Sequence, residues 1–133
     1  MVSTKNLCLI AVVSVGLTGC GSLYKYIPSF WDDNQSAKII DVRQKAHNID
    51  CTQPQAPQAL AIMRDLQWFQ LYSDSKGRSQ QDVIALIKPM QETAEDWAKR
   101  SATQEGSKTY CEIKKKVLVG QADRAAGSVL GRW

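Results

Sequence analysis

Beyond residue 33, apolar side chains recur at spacings of three and four, the period of an amphipathic helix, in four successive stretches. The first runs from about Asn34 to Asp50 and carries Ile39, Val42, Ala46 and Ile49. Cys51 and a loop holding Pro54 and Pro57 close it. The second, about Gln58 to Ser73, sets Ile62, Leu66 and Phe69 on one stripe, widened by Trp68, Leu71 and Tyr72. Gly77 then stops the helical course. In the third, Ser79 reads as the N-cap, with Asp82 in the capping-box position. Val83, Ile87, Met90, Ala94 and Trp97 follow in a four-three-four-three register, flanked by the i,i+4 pairs Glu95/Lys99 and Asp96/Arg100. Pro89 lies inside this register and predicts a kink, or a break into two short helices. The polar segment Ser101 to Ser107 reads as a loop. The fourth stretch, about Lys108 to Leu130, places Cys111, Leu118, Ala122, Ala125 and Val129 on one face. Its β-branched middle, Ile113 to Val119, also admits a strand, but the composition of Gln121 to Ala126 favours a helix. The pattern predicts an all-α fold, a small four-helix up-down bundle over residues 34–133.

The N-terminus obeys a different rule. Met1 to Asn6 is polar with one positive charge, Lys5, and Leu7 to Leu17 is almost wholly apolar. A charged start, an apolar run of about 7–15 residues and small residues after it describe a secretory signal peptide. The run is short of the roughly 20 apolar residues that cross a bilayer, and Ser14 and Gly16 interrupt it. It ends in Leu17-Thr18-Gly19-Cys20, which resembles the lipobox of bacterial lipoproteins. The resemblance implies cleavage after Gly19, with residues 1–19 removed, and lipid on the Cys20 thiol and the new N-terminus. Lipidation contributes about 0.8 kcal/mol per buried CH₂, and more than one acyl chain gives stable anchoring. In enterobacterial members of this family an Asp after the cysteine favours the inner membrane. Gly21-Ser22 stands here, so the resemblance implies the periplasmic face of the outer membrane. The alternative is an ordinary signal peptide or a buried N-terminal helix.

Residues 20–33 then read as a lipidated tether, with Tyr24, Tyr26, Phe30 and Trp31 along it and Pro28 breaking any helix. Rings with a polar edge suit membrane interfaces, and equally suit packing back on the domain. Of the four cysteines, Cys8 leaves with the signal peptide and Cys20 carries lipid. Cys51 and Cys111 remain, and in an exported chain two leftover thiols read as one disulfide. The alternative is two unrelated buried thiols. In an up-down bundle the first helix ends at the pole where the fourth begins, so topology and pairing support one another. The opposite pole gathers the tether, the end of the second helix with Trp68, Phe69 and Tyr72, the Lys76-Gly77-Arg78 loop and Arg132-Trp133.

Composition alters this picture little. About 114 residues remain after cleavage, enough for one domain. Loss of Lys5 lowers the net charge from +4 by one unit, a mild excess that does not predict a nucleic-acid partner. The one dense cationic run, Lys114-Lys115-Lys116, reads as a solvated helix face before it reads as a patch for anionic lipid or glycan. No catalytic constellation stands out. His47 is the only histidine, no CxxC or HxxxH spacing suggests a metal, and no cofactor is implied. Asp32-Asp33 suits a helix start, and Glu92, Glu95 and Asp96 have basic neighbours, although carboxylate pairs also serve glycosidase chemistry. The Trp68-Phe69-Gln70-Leu71-Tyr72 segment is the best partner-binding candidate through Trp68, Phe69, Leu71 and Tyr72. Consecutive large apolar residues on a helix cannot all face one core, although burial of all of them in a small bundle is the plainer reading.

The segment Tyr26-Ile27-Pro28-Ser29-Phe30-Trp31-Asp32-Asp33-Asn34-Gln35, with the Cys51/Cys111 frame, resembles small lipoproteins of tailed bacteriophages whose role is uncharacterised. It transfers no functional residue. Three classes of function follow: a non-enzymatic interaction or structural protein of the envelope, anchored to the bilayer through acylated Cys20 and docking an envelope protein; a phage-encoded superinfection-exclusion or lysis-associated lipoprotein; and, disfavoured, an enzyme acting on peptidoglycan.

Overall fold

The computed structural model of the chain describes residues 31–77 and 80–132. Four helices follow in order, α1 Asp33–His47, α2 Gln55–Ser75, α3 Gln81–Thr103 and α4 Lys108–Leu130. Among the described residues there is no strand. Packing runs round a closed ring, α1 on α2, α2 on α3, α3 on α4 and α4 on α1. The register residues of all four stretches meet in its middle: Ile39, Val42 and Ala46, then Ile62, Leu66 and Phe69, then Val83, Ile87, Met90, Ala94 and Trp97, then Leu118, Ala122, Ala125 and Val129 are all buried. The β-branched middle of the fourth stretch is helical, because Leu118 and Ala122 keep the 3.6-residue period that a strand would break.

Several boundaries differ from the sequence expectation, each for a local reason. Asp32 caps α1, its side chain accepting the Gln35 amide at 2.9 Å. That helix ends at His47, and Ile49 stays buried although it lies beyond it. α2 starts three residues earlier than expected, since Pro57 sits in its first turn, where the missing N–H has no intrahelical partner to lose. Gly77 terminates the course at φ +95°, backbone that favours glycine. The N-cap of α3 is Gln80 rather than Ser79, which lies outside the described residues; Asp82 accepts the Val83 amide at 2.8 Å. α3 is one helix through Pro89, so the two-helix alternative falls. It also absorbs Ser101 to Thr103, expected as loop, because buried Ser101 continues the stripe four residues past Trp97. Ser107 caps α4 by accepting the Tyr110 amide at 3.1 Å.

Cys51 and Cys111 form a disulfide, with Cα atoms 5.7 Å apart at a sequence separation of 60. Closing a loop of that length stabilises the fold by roughly 4 kcal/mol in the chain-entropy account. It locks the end of α1 to the start of α4. At the far pole Gln35 of α1, Ser73 of α2, Gln80 before α3 and Arg132 after α4 share one hydrogen-bonded cluster. The alternation of starts and ends at each pole establishes the up-down topology.

Candidate functional site

The aromatic segment of α2 is divided by its helical twist of about 100° per residue. Phe69 points inward and is fully buried; it belongs to the core and offers no surface to a partner, which corrects its place among the candidate contacts. Trp68 and Tyr72, four residues apart, stack at 5.0 Å between ring centroids with 6° between planes. Lys38 of α1 places its ammonium 5.2 Å from the Trp68 centroid, and Lys76 lies the same distance from that of Tyr72. Along α2 the order is therefore Asp65 with Lys38, then Trp68, then Tyr72, then Lys76 with Asp32. This column of ion pairs, cation–π contacts and stacked rings lies along the α1–α2 seam. Trp68 keeps 43% of its surface exposed at the outer edge of the column, and Leu71, facing directly away from the core, keeps 71%.

Charges extend the column in both directions. Lys38 bridges Asp41 at 3.4 Å and Asp65 at 3.3 Å, and Lys45 bridges Asp41 at 3.2 Å and also bonds Asp65. Burial opposes the charge on Asp41, yet the lysine hydrogen bonds outweigh it and lower its pKa. At the pole, buried Asp32 accepts from Lys76 and, at 3.2 Å, from the Tyr72 hydroxyl, which itself accepts from Asn34 at 2.8 Å. Burial again raises the Asp32 pKa, and the bonds from Lys76, the Gln35 amide and Tyr72 more than reverse this, holding it below the ordinary carboxylate value. Fully buried Gln35 donates to Ser73 Oγ and Gln80 Oε1, both at 2.8 Å, and accepts from Arg132 at 2.9 Å. Burial depresses the Arg132 pKa.

No family model, curated protein or solved structure matches this chain. Its sequence and its surface chemistry are therefore the ground for any functional reading.

The remaining sequence candidates are placed as follows. Cys20, the tether through Phe30, Arg78 and Trp133 lie outside the described residues. His47 bonds Asp123 of α4 at 2.9 Å, and Arg43 bonds the same carboxylate at 2.6 Å, so the histidine serves an α1–α4 clip. Glu95 pairs with Lys99 at 2.6 Å, and Asp96 with Arg100 at 2.9 Å and Lys114 at 2.8 Å. The lysine run is thus not simply a solvated face: Lys114 ties α4 to α3, and Lys115 donates to the Ile49 carbonyl at 2.7 Å. No group of three His, Cys, Asp or Glu placed to hold a metal occurs among the described residues. A groove of about 530 Å³ between α2 and α3 is lined by Gln67, Gln70, Gln81 and Gln91 with Lys88 and Glu92. Sequence reasoning passed over Gln35 and Gln55, although both stand on apolar registers, Gln35 four residues before Ile39 and Gln55 four before Ala59. A polar residue on a core register was the signal available.

Proposed function

We propose that this protein is a lipid-anchored envelope lipoprotein, held at Cys20 on the periplasmic face of the outer membrane, whose bundle acts as a non-enzymatic structural or interaction module. The observation that carries the reading is the Leu17-Thr18-Gly19-Cys20 sequence after an eleven-residue apolar run, followed by a domain whose first helix begins at Asp33. Among the described residues no helix is long and apolar enough to cross a membrane, so in this reading attachment rests on the lipid. The non-enzymatic part is supported by how the candidate acids and bases are used. His47 and Asp123 clip α1 to α4, Asp96 joins α3 to α4, and Asp32 caps α1. These roles account for the residues without a reaction.

The test is Cys20→Ser in the full chain. The wild-type protein is expected in the membrane fraction with incorporated palmitate, and the variant is expected to lose both. Equal membrane recovery of the two proteins, or a wild-type chain without palmitate, contradicts the reading.

A further inference from the structure

We infer that the exposed apolar residues Trp31, Trp68 and Leu71 lie in the lipid interface, so that the domain sits on the bilayer by its tether end instead of hanging free of it. The inference rests on the lipid anchor at Cys20 and adds what the folded domain itself touches.

Three observations select this face and this occupant. The first is geometric. Asp32 is held to Tyr72 and Lys76 of α2, which fixes the entry of the chain beside the last turns of that helix, and Trp31 is the next residue toward the anchor. About 11 residue steps separate Trp31 from Cys20, a reach of at most about 40 Å. The bundle is about 35 Å long, given 23-residue helices α3 and α4 and about 1.5 Å per residue. The tether therefore keeps the domain within about 40 Å of the bilayer, at high effective concentration, with the tether pole as the end nearest the anchor along the chain.

The second is the nature of the exposed groups. Trp31 is 44% exposed and bonds Asp33 through its indole N–H at 2.7 Å. Trp68 shows an outer edge, its ring otherwise engaged by Tyr72 and Lys38. Leu71 lies one turn beyond Trp68 on the outward side of α2 and is the most exposed large apolar residue among those described. Indole rings with one apolar and one polar side, next to a projecting leucine, suit the boundary between acyl chains and headgroups.

The third is electrostatic. Among the described residues, the lysines at this end are already paired, Lys38 with Asp41 and Asp65 and Lys76 with Asp32. Because these lysines are engaged, the contact is made by apolar insertion of the exposed rings and Leu71, and it changes little with added salt.

The experiment reconstitutes the lipidated full chain in phosphatidylethanolamine/phosphatidylglycerol vesicles, with and without bromine on shallow acyl carbons, and subtracts the emission of Trp68→Phe to isolate Trp68. The expected result is loss of most Trp68 emission with brominated lipid, unchanged at raised salt. Leu71→Asp, a change at a solvent-facing position, should stay with the vesicles through its lipid and recover that emission. A wild-type chain that floats with the vesicles but keeps Trp68 unquenched overturns the contact alone. So does equal quenching in Leu71→Asp. A chain that does not float with the vesicles overturns the anchor and the contact together. A photoreactive residue at position 71 that gives one discrete protein adduct in cells, with no lipid adduct, assigns the face to a protein and also overturns the inference.

Discussion

The two poles of the bundle solve one problem by different means. Each must join loop ends around a buried glutamine. At the disulfide pole, Gln55 accepts the Trp97 indole N–H at 2.9 Å and donates to the Gly106 carbonyl at 2.6 Å, while its own backbone N–H goes to Glu105 at 2.9 Å. A covalent crosslink, the Gly106 carbonyl and the side chains of Trp97 and Glu105 hold the ends of α1 and α3 against the starts of α2 and α4. At the tether pole Gln35 bonds only side chains, those of Ser73, Gln80 and Arg132, beside an ion pair. The covalent link at the disulfide pole survives acid, whereas the Asp32–Lys76 ion pair at the tether pole does not. The disulfide pole is thus the fixed end, and the tether pole is the end that responds to conditions.

The largest expected effect tests the fixed end. Replacing Cys51 and Cys111 together by Ser should lower stability by about 4 kcal/mol, read as a fall in the urea midpoint with a slope that rises as the uncrosslinked unfolded chain expands. A loss under about 1 kcal/mol would mean that the crosslink contributes little against the packing beside it. Gln55→Leu comes next, at about 2–3 kcal/mol, because the buried Trp97 indole N–H and the Gly106 carbonyl both lose their partner. Gln35→Leu should cost less, about 1–2 kcal/mol, since Arg132 keeps the Val129 carbonyl at 3.0 Å. The reverse order in parallel urea titrations would break the contrast between the poles.

Acid should then separate the poles in one molecule. The folded Asp32 pKa lies below its ordinary 3.8, so the carboxylate contributes stability that is complete above about pH 5 and is lost as pH falls through the lower folded value. Amide exchange over Gln35 to Ile39 should accelerate in that window before exchange over Cys111 to Leu118 does. Simultaneous acceleration would show that the poles open as one. The smallest effect belongs to Trp68→Ala, at most about 1 kcal/mol, because the ring is part-exposed and its loss leaves the Lys38–Asp65 pair standing. A larger loss, seen by thermal denaturation, would move Trp68 from surface to core.

The core could be read from the sequence because it depends on one period. Ile39, Val42 and Ala46, or Val83 through Trp97, are named by spacing alone. Where composition competed with spacing, composition misled: the polar run after Arg100 looked like a loop although Ser101 still kept the register. Prolines misled in the same way, since Pro57 at a helix start has a meaning opposite to proline in the interior. In the aromatic segment the twist of one helix does send Phe69 inward and Leu71 outward. Trp68, Tyr72 and Lys76 follow at i,i+4 spacing along one chain segment, whereas the approach of Lys38 to Trp68 was not legible, because it depends on the height of α1 beside α2. The same holds for the Asp123 clip and the Gln35 cluster, each joining residues from distant parts of the chain.

The central claim is lipid at Cys20, and its most direct measurement is the intact mass of the protein extracted from membranes. The account predicts a chain that starts at Cys20 and carries diacylglycerol on its thiol with a further acyl group on its amine. A mass equal to the unmodified chain, whether begun at Met1 or at any later residue, would contradict it.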